Sequence, residues 1–165
     1  NKGRGLDLAI RSLAFLPNFN LIIVGGGFEF LKDLCREVGV LDRVDFVGKV
    51  PFEQVREFTK KASIGLLLEE SVGLSFTYSL PNKLFDYIHS DLKIIASPLK
   101  EVKSIVDKYK VGVLLNNRIP KDVAAQIELL YKTDFNGSDY QIAKQELNWQ
   151  KEEEVLASVF LPIKK

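Results

Sequence analysis

Apolar positions along this chain alternate between two rhythms. Leu6, Ala9, Ile10, Leu13 and Leu16 recur at helical spacing and stop at Pro17-Asn18, which predicts a helix over residues 5–16. Leu21-Ile22-Ile23-Val24 is an unbroken apolar run ending in Gly25-Gly26-Gly27, the pattern of a strand buried on both faces that enters a tight turn. Leu31, Leu34, Cys35 and Val38 then share a helix face, closed by Gly39. The alternation continues with a strand over 44–47 closed by Gly48, then a helix opened by Pro51 with Val55, Phe58 and Ala62 inward. Strands follow over 64–68, 93–96 and 111–115; a helix starting at Ser97-Pro98 turns Val102, Ile105, Val106 and Tyr109 to one side. From Pro120 only the helical rhythm remains, in runs over 123–131, 139–147 and 151–160, broken at Asn136-Gly137 and Asn148-Trp149. The order predicts an α/β domain: a doubly wound, mostly parallel sheet followed by C-terminal helices.

Residues 69–78 read as a polar loop. They lead into Ser79-Leu80-Pro81-Asn82-Lys83-Leu84-Phe85-Asp86-Tyr87-Ile88-His89-Ser90, where Pro81 fits a first helical turn because a helix start leaves that N–H unpaired anyway. At about 100° per residue, Ser79, Asn82, Lys83, Asp86 and Ser90 share one face, with Leu84, Phe85 and Ile88 towards the other. The start of this helix carries about half a positive charge and Lys83 adds a full one, so an anion such as phosphate is the natural guest. Asp86, roughly 4.5 Å further along the axis, is placed to accept hydrogen bonds from sugar hydroxyls. Phosphate plus ribose points to a nucleotide. The pattern fits equally a solvated face on which Lys83 and Asp86 pair at i,i+3, and both readings stay open at this point. Ligands of parallel sheets sit beyond the carboxyl ends of the strands, and the loops at those ends carry Gly25 to Gly27, Gly48-Lys49, residues 69–78 and Ser97.

Composition narrows the partners. At 165 residues, 46% hydrophobic and 27% charged, the chain suits one domain with a full core. Lys+Arg 23 against Asp+Glu 22 leaves a net charge of +1, with no basic run or basic-aromatic interleaving, which argues against a nucleic-acid partner. Cys35 stands alone in an apolar helical pattern and reads as a buried small hydrophobe in an intracellular chain. One histidine, His89, and one cysteine cannot build a His/Cys zinc site, and no stretch matches a transmembrane span or signal peptide. The opening Asn1-Lys2-Gly3-Arg4-Gly5 lacks Met and runs straight into a helix, as in a piece of a longer protein.

Other constellations carry less. Gly25-Gly26-Gly27-Phe28-Glu29-Phe30 has Phe30 where the dinucleotide fingerprint needs its third glycine, so a tight turn is the better reading. Lys2 and Arg4, at a glycine-rich helix start, either meet phosphates or form a frayed basic tail. Glu69-Glu70 reads as a solvated pair of carboxylates, and His89, beside the apolar side of its helix, as structural.

With these motifs in order, the chain resembles the C-terminal domain of the nucleotide-sugar-dependent glycosyltransferases of family 4, also called group 1, which have the GT-B fold. The likeness rests on Lys2-Gly3-Arg4-Gly5-Leu6, Val24-Gly25-Gly26-Gly27, Val44-Asp45-Phe46-Val47-Gly48, Ser79 through Ile88, Ile94-Ile95-Ala96-Ser97 and Asn148-Trp149, and it covers almost the whole chain. The Ser-Leu-Pro-Asn-Lys-Leu-Phe-Asp-Tyr form looks like the branch found among bacterial polysaccharide-building transferases. The resemblance implies half of a GT-B fold, Rossmann-like, that holds the nucleotide diphosphate of a UDP- or GDP-linked sugar with no cofactor and no metal. It implies Asp86 at the ribose, Arg4 and Lys83 facing the diphosphate as the catalytic charges, and Gly48 and Lys49 beside the base. Gly25, Gly26, Ser79 and Asn82 would complete the donor site. The family's first paired glutamate falls on Tyr78, so Ser75, Thr77 or Tyr78 would take over its contact to the donor sugar. The implied partners are the nucleotide sugar, a glycan or lipid-linked acceptor, and an N-terminal domain lying outside this sequence, without which the domain would be inactive. Trp149 and the last helix would pack near that domain. The implied location is cytoplasmic, with a peripheral place at the inner membrane face open to the full-length protein. Two alternatives stand beside this reading: a nucleotide-sugar 2-epimerase of the same fold, and a non-catalytic, flavodoxin-like nucleotide-binding module.

Overall fold

A computed structural model describes residues 3–160, with only the backbone at Ser75 and Phe76; Lys2 and the side chain of Ser75, both named above, lie outside the described residues. The elements run α1 (Leu6–Leu13), β1 (Leu21–Val24), α2 (Glu29–Glu37), β2 (Val44–Gly48), α3 (Phe52–Lys61), β3 (Ile64–Leu67), α4 (Leu74–Tyr78) and α5 (Asn82–His89). Then come β4 (Lys93–Ala96), α6 (Lys100–Tyr109), β5 (Gly112–Leu114), α7 (Pro120–Lys132), α8 (Gly137–Glu146) and α9 (Trp149–Phe160).

All strand pairs are parallel, as the long helical crossovers require. They form two ladders: β1 with β2, Leu21 opposite Val44, and β3-β4-β5 with β4 central. Among the described residues no hydrogen bonds join the two ladders, so the sheet expected as one is hydrogen-bonded as two and three strands. Side chains bridge them instead. Ile23 and Val44 share a core with Leu68, Ile95, Leu115 and the apolar faces of α1, α2 and α7. A second core gathers Leu84 and Ile88 of α5 with Ile94, Val102, Val106 and Tyr140. This second core fixes α5 against β3 and β4, with its start at the carboxyl edge.

Local chemistry moves several boundaries. The first helix stops at Leu13, and residues 14–16 continue in tighter turns, Phe15 N–H bonding Ser12 O and Leu16 N–H bonding Leu13 O, both at 3.0 Å. The expected loop 69–78 ends in the short helix α4. Pro81 stands just outside α5 rather than in its first turn: its ψ of 136° is extended, and its carbonyl receives the Leu84 N–H at 2.9 Å. Either place spares a backbone hydrogen bond, which is why the proline marks the start without fixing it to the residue. Ser90, expected on the polar face, has a buried hydroxyl with no hydrogen-bond partner among the described residues, and the exposed Asp91 after it takes a left-handed φ of 57°. Cys35 is fully buried, as its pattern predicts. His89 Nε2 lies 2.9 Å from Leu147 O, a structural tie between α5 and the end of α8.

Candidate functional site

The glycine-rich turns after β1 and β2 lie against each other. Gly25 N–H donates to Gly48 O at 2.8 Å, and a Cβ at Gly26 would meet the Lys49 side chain at 3.0 Å. A second junction forms at the carboxyl end of β3, where Glu70 N–H donates to Gly3 O at 2.8 Å. That bond brings the turn bearing exposed Arg4 beside the loop that leads to α5. Gly25, Gly26, Gly48, Lys49, Arg4, Asn82 and Lys83 thus all stand at the carboxyl ends of strands or at a helix start facing that edge.

The carboxylates at this edge are not the solvated pair expected. Glu69 is 8% exposed, and its Oε1 sits 2.6 Å from Lys83 Nζ, which also lies 3.4 Å from Leu66 O. Lys83 therefore pairs with Glu69 across the β3 edge, and not with Asp86 along its own helix. A buried carboxylate needs such a partner, because losing hydration would otherwise be prohibitive. Glu70 turns the other way: its Oε1 accepts from Arg118 Nη2 at 3.0 Å, while the same guanidinium donates to Leu68 O at 3.1 Å and to Ser97 Oγ at 3.0 Å. Arg118 spans the ends of β3 and β4 from the loop after β5, beside a cavity of about 290 Å³ lined by Glu69, Ser71, Leu99 and Asn117.

Sequence reasoning missed Arg118. The signal was available, since the loop after residue 115 ends a parallel strand like the loops that were considered. Arg118→Ala is expected to lower stability by about 1–3 kcal/mol in urea denaturation, and Arg118→Lys to recover only part, because one ammonium cannot span three acceptors fixed around a planar fork.

Further along α5, Asp86 is half-buried. Loss of hydration raises its carboxyl above the usual range, and the charges of His89 and of Arg56 on α3 oppose that rise. Arg56 follows the Gly48-Lys49 turn, so this charge coupling links the β2 side of the edge to α5. The Tyr87 phenol is pushed up by burial first, then by Glu69 and Asp86, and its ring covers Gly65 of β3 so closely that a Cβ there could not fit. Thr77 Oγ1 donates to Gly73 O at 3.1 Å and lies 2.6 Å from Ser71 Oγ, while the Lys100 ammonium stands 4.8 Å over the Tyr78 ring. Thr77 and Tyr78 belong to α4, and Ser79 joins α4 to Pro81. No three of the described His, Cys, Asp and Glu side chains gather into a group that could hold a metal.

The family model "Glycosyl transferases group 1" matches residues 1–151. The chain belongs to this family. Its fold is that of one half of a GT-B transferase: WaaG, a glycosyltransferase involved in lipopolysaccharide biosynthesis, superimposes with a TM-score of 0.72 at 14% identity over 95% of this chain. A sucrose-phosphate synthase from Thermosynechococcus elongatus gives a TM-score of 0.73 at 18% identity over 98% of this chain. The chain spans 44% of the length of each of these structures. No curated protein matches by sequence. Within this group 1 domain, Trp149 and the α9 residues Val155, Val159 and Phe160 are exposed, and no residue of α9 is buried. Among the described residues, no helix is long and apolar enough to cross a membrane.

Proposed function

We propose that this domain holds the nucleotide diphosphate of an activated sugar during transfer to a hydroxyl of a glycan or lipid-linked acceptor. One observation carries the reading: Lys83, the start of α5 and the turn bearing Arg4 meet at the carboxyl end of β3, where Gly3 O and Glu70 N–H are bonded at 2.8 Å. In the reaction the bond from the anomeric carbon to the diphosphate breaks as the acceptor oxygen bonds to that carbon. The electron pair, and with it the charge, stays on the departing diphosphate, and the acceptor hydroxyl gives up its proton to that diphosphate or to water. Lys83, Arg4 and the peptide dipoles at the start of α5 offset this charge without moving, the form of stabilisation that costs least reorganisation.

Asp86 takes the ribose hydroxyls, and Gly25, Gly26, Gly48 and Lys49 form the wall beside the base. Thr77, Tyr78, Ser79 and Asn82 line the approach to the sugar. The donor is UDP- or GDP-linked and no metal takes part. The acceptor binds a second, N-terminal domain, against which Trp149 and the exposed side of α9 pack, so this domain alone turns over no substrate.

The test is calorimetric titration with UDP, GDP and ADP. One nucleotide is expected to bind, and Asp86→Asn to weaken it by about tenfold, roughly 1.4 kcal/mol. Thermal stability of this variant should hold or rise slightly, because the amide sheds the desolvation that raises the Asp86 carboxyl. A raised carboxyl binds its proton earlier as pH falls, so affinity should drop at a higher pH than for an ordinary aspartate, and this step should vanish in Asp86→Asn. Binding unchanged in that variant would remove Asp86 from the site.

A further inference from the structure

Lys83 does not meet an incoming anion as a free cation. Glu69 already occupies it at 2.6 Å, with side-chain exposures of 10% for Glu69 and 30% for Lys83. The pair is neutral overall, and it is anchored to the strand end because Lys83 Nζ also lies 3.4 Å from Leu66 O. A phosphate seated on the exposed side of the ammonium would have the carboxylate about one ion-pair length behind it. Coulomb energy falls only as the inverse of distance, so that carboxylate cancels roughly half of the ammonium's attraction.

The size of this cancellation depends on the charge of the guest. In a nucleotide sugar the terminal phosphate is esterified, whereas in the free nucleoside diphosphate it can lose a second proton near neutral pH and carries more charge. A bare lysine would therefore favour the spent product over the donor. A lysine with a resident carboxylate keeps only about half of that preference in free energy. We propose that Glu69 is a specificity-determining residue, the built-in counter-ion of Lys83 that narrows the advantage of the free nucleoside diphosphate over the sugar-bearing donor. This rests on the donor-binding reading above. It gives the buried carboxylate a role in product release, which its burial alone would not require.

The experiment titrates UDP against UDP-glucose and GDP against GDP-mannose, on the wild type and on Glu69→Gln, whose amide keeps the shape and removes the charge. Glu69→Gln is expected to tighten the nucleoside diphosphate by about tenfold and the nucleotide sugar by about threefold, raising the product-to-donor affinity ratio by about threefold. Adding Lys83→Gln to that variant should abolish the gain, and Glu69→Asp, which keeps the charge, should hold the ratio near wild type. If Glu69→Gln does not fold, Lys83→Gln supplies the converse test: with Glu69 left bare, product affinity should fall more than donor affinity.

An unchanged ratio in Glu69→Gln, or equal losses in Lys83→Gln, would overturn the role of Glu69 while leaving donor binding intact. A wild type that binds none of the four nucleotides would overturn both.

Discussion

Replacing Gly5 with alanine is expected to cost this domain most of its stability. Gly5 sits at φ 69° and ψ 19° where the chain enters α1, a left-handed conformation that charges a side chain roughly 1–2 kcal/mol. Space is the harder limit. A Cβ there would fall well inside contact distance of both the Leu68 carbonyl and the Leu68 side chain, and backbone cannot swing aside as a flexible side-chain end can. Either α1 lifts from the end of β3, opening the core that joins the two ladders, or the strand end shifts and takes Glu69 with it. The combined penalty should exceed about 4 kcal/mol, a large share of the 5–15 kcal/mol that holds typical domains together. Urea denaturation followed by circular dichroism should show either no cooperative transition or a midpoint well below the wild type. A midpoint close to wild type would mean that α1 does not press on Leu68 as described.

Lys83→Ala should have the next largest effect, and on two measurements at once. Removing the ammonium leaves Glu69 buried with its charge unpaired. Breaking a fully buried pair costs about 3–5 kcal/mol, and the part exposure of Lys83 reduces the expected loss to about 2 kcal/mol. Lys83→Ala with Glu69→Gln should recover most of that stability, since the neutral amide no longer needs a counter-charge. Nucleotide affinity should separate from stability: the single and the double variant should both bind UDP or GDP at least about tenfold more weakly than wild type. A double variant that regains binding along with stability would show that Lys83 acts on the fold alone.

The two effects share a cause in the crowding at the end of β3. Gly5 lets α1 begin against Leu68, Tyr87 from α5 lies over Gly65, and Glu69 and Glu70 leave the strand towards Lys83 and Arg118 respectively. Three segments distant in sequence meet within a few residues of one strand. Parallel strands with helical crossovers put such junctions at the carboxyl edge as a matter of topology, and that edge is where a ligand can be surrounded by loops from several crossovers.

Much of this was legible in the residues. Ile94-Ile95-Ala96 is buried throughout, as its apolar run predicts, whereas in Leu21-Ile22-Ile23-Val24 only Ile23 is buried; the helical spacing of Ala9, Ile10 and Leu13 and of Val102, Ile105 and Val106 marked inward sides, while the buried Leu8 lay outside the pattern. The start of α5 was marked to within a residue by Pro81. The split of the strands into two ladders was not marked, because a strand's apolar pattern is the same whichever neighbour it pairs with. Glu69-Glu70 was misread for a related reason: adjacent carboxylates after a strand look alike in sequence whether water or a cation satisfies them.

By itself the sequence determined the alternation of elements, the parallel sense of the strands, the group 1 resemblance and the edge on which the polar face of α5 must lie. The resemblance rests on motifs in a given order, and the rest follows from periodicities and turn residues that act over a few positions. Only the tertiary structure decided that Lys83 answers to Glu69, that Arg118 braces Glu70, Ser97 and Leu68, and that the Ser90 hydroxyl is buried. Those outcomes depend on charges and hydroxyls brought together from distant parts of the chain, where burial sets the cost of each unpaired group and no spacing rule records the partner.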